Sequence, residues 1–342
     1  MTKLDKLNDI SALIAALPTI DDTAHDAATA HQTQLTKPPG SLGRLEEVAE
    51  FVAGWHAVAR PEINQARAII FAGNHGVCAQ GVNAFPQSVT AQMVANFEAG
   101  GAAINQLCKS VGADLSVVPL ELDHPTKDFT QAPALTETEL LSALNRGMAA
   151  VQSDTDILIL GEMGIGNSTV AAALCAALYG GSSSDWVGPG TGADADGIAR
   201  KVTAINAGLS RHHAALGSPL AILQAFGGYE QAAICGAILA ARMNRTPVIL
   251  DGFICTAAAA VLHATDETTL DHCLVGHQSH EPGHRKLLDH LGKRPLLNLD
   301  MRLGEGTGAA LALSVIRGAL ACHNGMATFA EAGVSDAGAS NS

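Results

Sequence analysis

DILILGEMGIGNSTV, residues 156–170, decides the fold. Asp156 opens an apolar run, Ile157 to Leu160, that ends at Gly161 and a glycine-rich turn. A helix follows from Ser168 to Tyr179. An unbroken apolar run leaves no face for water, so it predicts a strand covered on both sides, as in a parallel sheet. The turn aims backbone N–H groups and a helix N-terminus at one point, which is an arrangement that holds an anion. The spacing is that of a phosphate loop, G-x-x-x-x-G-K-[ST], with Asn167 in place of the lysine. Without that cation the turn suits a monophosphate better than a triphosphate. A tight strand-to-helix turn capped by Asn167 or Ser168 is the plainer reading of the same residues.

The alternation extends in both directions. Strands are predicted at 67–71, 113–119, 247–250 and 295–299, with helices at 42–59, 88–110, 195–215, 229–243, 255–264 and 308–322. Residues 1–35 read as amphipathic helix broken at Pro18, and the Gly/Ala/Ser-rich tail from Ala332 reads as frayed. The expected fold is α/β: a three-layer, mostly parallel sheet with helices on both faces, Rossmann-like. Residues 60–300 would form the large domain. Residues 1–59 and 301–342 would supply a small helical domain and a catalytic loop.

Composition narrows the function. Of 342 residues, 47% are hydrophobic but only 4% aromatic, and 35 are glycine. That balance suits close-packed Ala-rich helices on a sheet and excludes a disordered chain. A net charge of −13 argues against nucleic acid or an anionic membrane as partner, so any phosphate must be gripped locally. Seven cysteines without a C-x-x-C pair point to reduced thiols and a cytoplasmic protein. Met1 to Leu17 carries Lys3, Asp5, Lys6 and Asp9 and lacks the apolar core of a signal peptide. The uncharged stretch 163–184 contains Gly, Asn, Ser and Thr and reads as loop plus buried helix, not a membrane span.

Ligands of open parallel sheets bind at the carboxyl ends of the strands. Here those ends carry Gly73-Asn74-His75-Gly76, Gly161 to Ser168, Asp251-Gly252 and Gly304 to Gly308. Gly188 to Gly192 is a second glycine-rich segment, followed by Lys201, a candidate phosphate cation that also fits a solvated helix face. Glu305, between glycines ahead of a helix, is a candidate general base, although a carboxylate at a helix start is favourable on electrostatic grounds alone. Cys273, His277, His280 and His284 imitate a metal cluster, and with His75 would serve a metal-dependent hydrolase. Glu281-Pro282-Gly283 interrupts the helical spacing such a site needs, so no metal is expected. A non-catalytic nucleotide-binding protein on the same frame is the other alternative.

Ten segments then carry a resemblance: KPPGSLGRLE (37–46), FAGNHGV (71–77), FPQSVTAQM (85–93), GEMGIGNST (161–169), GPGTGAD (188–194), GGYEQAA (227–233), LDGFICTAAA (250–259), SHEPGH (279–284), PLLNLDMRLGEGTGAALAL (295–313) and MATFAEAGV (326–334). In this order the set resembles the nicotinate-nucleotide–dimethylbenzimidazole phosphoribosyltransferases, the CobT family of cobalamin biosynthesis. The resemblance implies transfer of a phosphoribosyl group from nicotinate mononucleotide to 5,6-dimethylbenzimidazole, with inversion at C1′. It also implies a homodimer that needs no cofactor. Glu305 would be the catalytic base and Glu162 the second acid. Gly164, Ile165, Gly166, Asn167, Thr191, Gly192 and Lys201 would hold phosphate and ribose. Ala79, Phe85, Pro86, Gln87 and Met163 would form the acceptor-base pocket. The chain departs from the expected pattern at Asn74, where an Asp is anticipated, and in the strand end around Asn298 and Asp300.

Overall fold

The computed structural model describes residues 3–335; the end of the tail expected to fray, 336–342, lies outside them. Helices α1 (Asp9–Ala15), α2 (Asp22–Gln34) and α3 (Arg44–His56) precede strand β1 (Ala66–Ala72). Helices α4 (Ser88–Glu98) and α5 (Ala103–Val111) lead into β2 (Asp114–Pro119), and α6 (Glu137–Ala150) into β3 (Ile157–Met163). Four helices follow: α7 (Asn167–Tyr179), α8 (Ala195–Arg211), α9 (Pro219–Phe226) and α10 (Tyr229–Met243). Then come β4 (Val248–Leu250), α11 (Phe253–Thr265), β5 (Cys273–His277), α12 (Pro282–Leu291), β6 (Pro295–Leu297), α13 (Thr307–Gly325) and α14 (Phe329–Ala332).

The six strands form one sheet in the order β2-β1-β3-β4-β5-β6, and every pairing is parallel. Alternate side chains of β3 go to opposite faces, as strand geometry requires. Leu158 and Leu160 join the core that includes residues of α6, α7, α10 and α11. Ile157 and Ile159 join a second core with Val48 and Val52 of α3, Ile104 of α5, and Leu313 and Ile316 of α13. Both faces are therefore dry, which is why the strand reads as an unbroken apolar run. The order reverses between β1 and β3, and at such a switch point diverging loops open a crevice.

Segments near the two ends of the described chain meet. Leu35 forms an antiparallel bridge with Thr328, and Thr36 N–H donates to Ala327 O at 3.0 Å. The buried Gln32 amide lies 2.8 Å from Nδ1 of His323.

Several elements differ from the sequence expectation. The helix expected over 88–110 is two helices, because Gly100 takes φ +78° and ends the first. β3 runs on through Gly161, Glu162 and Met163, so the turn starts later and Glu162 lies on the strand. Helices α6 and α9 were not anticipated, nor was β5, whose buried CLVGH pattern is hidden among the histidines. The Pro282 that seemed only to break a helix starts α12, since proline is tolerated in a helix's first turn.

Candidate functional site

A cleft opens over the carboxyl ends of β3, β4 and β5 and is completed by the loops after β1 and β6. β3 delivers Glu162 and Met163 to its wall, and the next residues bend away at once. Gly166, at φ +95°, occupies the left-handed region that favours glycine and lets α7 begin at Asn167. The Ile165 N–H is taken by Thr90 Oγ1 of α4 at 3.1 Å, which pins the loop from behind. The Asn167 side-chain amide donates to Oε2 of Glu162.

The phosphate side is built from buried groups. Lys201 is 3% exposed. Its Nζ donates to Ser168 Oγ and to Gly188 O, both at 3.1 Å. Burial pulls its ammonium pKa down, and the charge of Glu281 opposes the shift. The solvated-face alternative for Lys201 is thereby corrected: α8 turns it inward, onto the first turn of α7 and the Gly188 loop. Glu281 in turn accepts from Gly190 N at 2.9 Å and fixes the Gly188–Gly192 loop. Burial raises its carboxyl, against the pull of Lys201.

Glu305 lies on the turn into α13 and is 7% exposed. Burial, and then the charge of Asp251, push its carboxyl up to about 7. For Glu162, burial followed by the charges of Asp251 and Glu230 pushes it up to about 8, although the Asn167 hydrogen bond works the other way. A carboxyl poised near neutrality is suited to exchanging a proton.

Glu162, Met163, Gly164, Ile165, Gly166, Asn167, Thr191, Lys201, Glu305 and Phe85 all line the cleft. Gly192, Ala79, Pro86 and Gln87 are not among its lining residues. Gln87 instead donates Nε2 to His75 O at 2.6 Å, bracing the loop that carries Phe85. Val82, Asn83 and Ala84 are the residues of this loop that reach the cleft together with Phe85. Asp251, already marked from sequence as a ligand-facing strand end but given no role, also lines it, with His277, Glu281 and Arg302, which were not assigned to the transferase site. Position was the available signal for Asp251 and His277, since each lies at or next to the carboxyl end of a central strand.

The histidines do not converge. His75 is fully buried with Nε2 2.7 Å from Glu230 Oε1. His284 Nδ1 accepts from Ser279 N–H at 2.9 Å, and His280 is exposed. Among the described residues no group of three or more His, Cys, Asp or Glu is placed to hold a metal ion. Asn74 serves a structural purpose, since its Nδ2 donates to Leu122 O at 2.9 Å, which a carboxylate could not do. Among the described residues, no helix is long and apolar enough to cross a membrane.

A phosphoribosyltransferase family model matches residues 17–334. The nicotinate-nucleotide–dimethylbenzimidazole phosphoribosyltransferase of Rhodobacter capsulatus is 62% identical over 334 residues, covering 98% of this chain and 99% of the relative. The enzyme of that name from Novosphingobium aromaticivorans is 58% identical over 336 residues, covering 98% and 99%. The crystal structure of CobT from Thermus thermophilus matches with a TM-score of 0.85 at 42% identity, covering 92% of this chain and 99% of that one. With its glycine loop, buried lysine and paired acids on a parallel sheet, the chain belongs to the nicotinate-nucleotide–dimethylbenzimidazole phosphoribosyltransferase family.

Proposed function

We propose that this enzyme transfers the 5-phosphoribosyl group of nicotinate mononucleotide to 5,6-dimethylbenzimidazole with inversion at C1′, giving α-ribazole 5′-phosphate and nicotinate. The observation that carries the reading is the buried pair of near-neutral carboxyls, Glu162 and Glu305, facing one cleft with a glycine loop and Lys201. Backbone N–H groups of the Gly164–Asn167 turn, the N-terminus of α7 and Lys201 receive the 5′-phosphate, with Thr191 beside the ribose. The acceptor base rests against Phe85 and Met163, with Ala79, Pro86 and Gln87 shaping the loop behind them.

The leaving group is a cationic pyridinium, so the C1′–N bond breaks with its electron pair going to a neutral ring. The enzyme must hold the acceptor on the opposite face of the ribose, at attack distance. As the benzimidazole nitrogen bonds to C1′, its other ring nitrogen becomes acidic, and Glu305 accepts that proton. Glu162, its carboxyl up at about 8, carries a proton at neutral pH. The pyridinium charge favours its ionised form, so on substrate binding it gives that proton to solvent and stands as an anion where positive charge builds at C1′. No metal or organic cofactor enters this scheme.

We read residues 60–300 as the main domain and 1–59 with 301–342 as a second unit, of which α2, α3, α13 and α14 form the layer that supplies the Glu305 loop while α1 packs in the opposite core. The Leu35–Thr328 bridge supports that division. A cytoplasmic homodimer fits the seven unpaired cysteines and the exposed Phe85 and Leu303 at the cleft mouth. Light scattering after size exclusion would test the dimer.

The deciding experiment is base exchange. Protein, nicotinate mononucleotide and 5,6-dimethylbenzimidazole are incubated without added metal and the products separated. Appearance of α-ribazole phosphate and nicotinate supports the reading. Tight mononucleotide binding without exchange to any base would overturn it.

A further inference from the structure

We propose that Asp251 is the positioning residue for Glu305, its carboxylate fixing the turn that presents Glu305 to the cleft; this rests on Glu305 being the base. Glu305 takes φ +63° between Gly304 at +84° and Gly306 at +82°. Three successive left-handed residues do not form spontaneously, and a glutamate among them is strained. Such a turn persists only where its surroundings over-determine it. Asp251, 1% exposed, does so from the end of β4. Its Oδ2 accepts from Gly306 N–H and its Oδ1 from Ala309 N–H, both at 3.0 Å. Gly306, the N-cap of α13, has no side chain to do this itself.

Asp251 is itself immobile. β4 is held between β3 and β5, and Nε2 of His277 lies 3.5 Å from its Oδ1. The first turn of α13 rests directly on that ring: a Cβ on Gly308 would come within 2.0 Å of His277 Cδ2. The base is thus referenced to the centre of the sheet and not to its own loop. An ordinary helix cap would add to stability and leave the proton affinity of Glu305 alone. Asp251 does more, because its charge is one of the two causes that hold Glu305 near neutrality. The other ionisable groups around it are Glu162 of β3, Cys255 of α11, His277 of β5 and His284 of α12.

The test uses the full chain with Asp251→Asn, which keeps shape and loses charge, and Asp251→Glu, which keeps charge and displaces the carboxylate. Each is made alone and combined with Glu305→Gln, and thermal melting, kcat, the KM for nicotinate mononucleotide and the pH profile are measured. In both single variants kcat falls on the order of 10²-fold, the effect of ångström-scale misplacement, with KM retained. In Asp251→Asn the acidic limb of kcat/KM also moves to lower pH; in Asp251→Glu it stays. Neither lowers the residual rate of Glu305→Gln. A folded Asp251→Asn with parental turnover, or losses that multiply with that of Glu305→Gln, would overturn the proposal. So would failure of both variants to fold. Parental activity in Glu305→Gln alone would instead remove the base assignment and leave Asp251 a helix cap.

Discussion

The side-chain amide of Asn167 donates to Oε2 of Glu162, tying the first residue of α7 to the strand that ends just before it. The residue standing where a phosphate loop would carry lysine is therefore committed to the acid of the cleft. A lysine there would pair with Glu162 and keep it ionised, whereas an amide leaves its proton exchangeable.

Replacing Asn167 by Asp sets one acceptor against another. The variant should lose about 1–3 kcal/mol of stability, the usual consequence of an unsatisfied buried polar group. The loss should be greater at pH 8 than at pH 5, where one of the two carboxyls carries a proton and can donate. Thermal melts at both pH values check this, and equal losses would show that the contact does not govern Glu162.

Glu305→Gln should lower kcat by roughly 10²- to 10⁴-fold, the usual contribution of a general base. With its carboxyl held near 7, the parent enzyme's kcat/KM should rise with pH up to about 7 and then level. The unprotonated form is the active one, so activity is lost as pH falls. Product chromatography across pH 5–9 measures both, and near-parental turnover in Glu305→Gln would refute the assignment.

The sheet and the cleft's place on it were legible because Ile157 to Leu160 can be covered only on both faces, and because strand ends collect glycine and acid. What escaped was set by long-range contact. The inward turn of Lys201 depends on the Gly188 carbonyl and Ser168, which only the folded chain supplies. β5 was obscured because His277 is a buried strand residue with the appearance of a metal ligand. α6 left a readable signal, the Thr136–Glu139 capping box, which the pattern of apolar residues alone does not weigh.

Glu162 links stability to pH. Its folded carboxyl, up at about 8 against an ordinary 4.5, binds its proton more tightly than in the unfolded chain. Stability from this group is therefore full below 4.5 and is lost as pH rises through about 8. Glu162→Gln has no charge to bury and retains an acceptor for Asn167. Its Tm should exceed the parent's by several degrees at pH 8.5, a change on the order of 4 kcal/mol for a carboxyl moved from 4.5 to about 8, and match it at pH 4.5. A variant less stable than the parent at pH 8.5 would mean that the fold does not raise the Glu162 carboxyl.

Lys201 separates binding from chemistry. Its ammonium is buried against Ser168 Oγ and the Gly188 carbonyl, and burial already disfavours its charge. An arriving phosphate adds to the partial compensation that Glu281 already gives. Lys201→Met fills the same space without charge, so the fold should tolerate it. A hydrogen bond to a charged group contributes about 1.5–3 kcal/mol, which corresponds to a rise in KM for nicotinate mononucleotide of roughly 10- to 100-fold. The KM for dimethylbenzimidazole should stay near the parent's, because Lys201 bonds to Ser168 and Gly188 and not to Phe85 or Met163, the residues proposed for that subsite. Initial rates with each substrate varied in turn give both constants. If the mononucleotide KM is unchanged while kcat falls, Lys201 acts on the transition state and the phosphate lies elsewhere along the glycine loop.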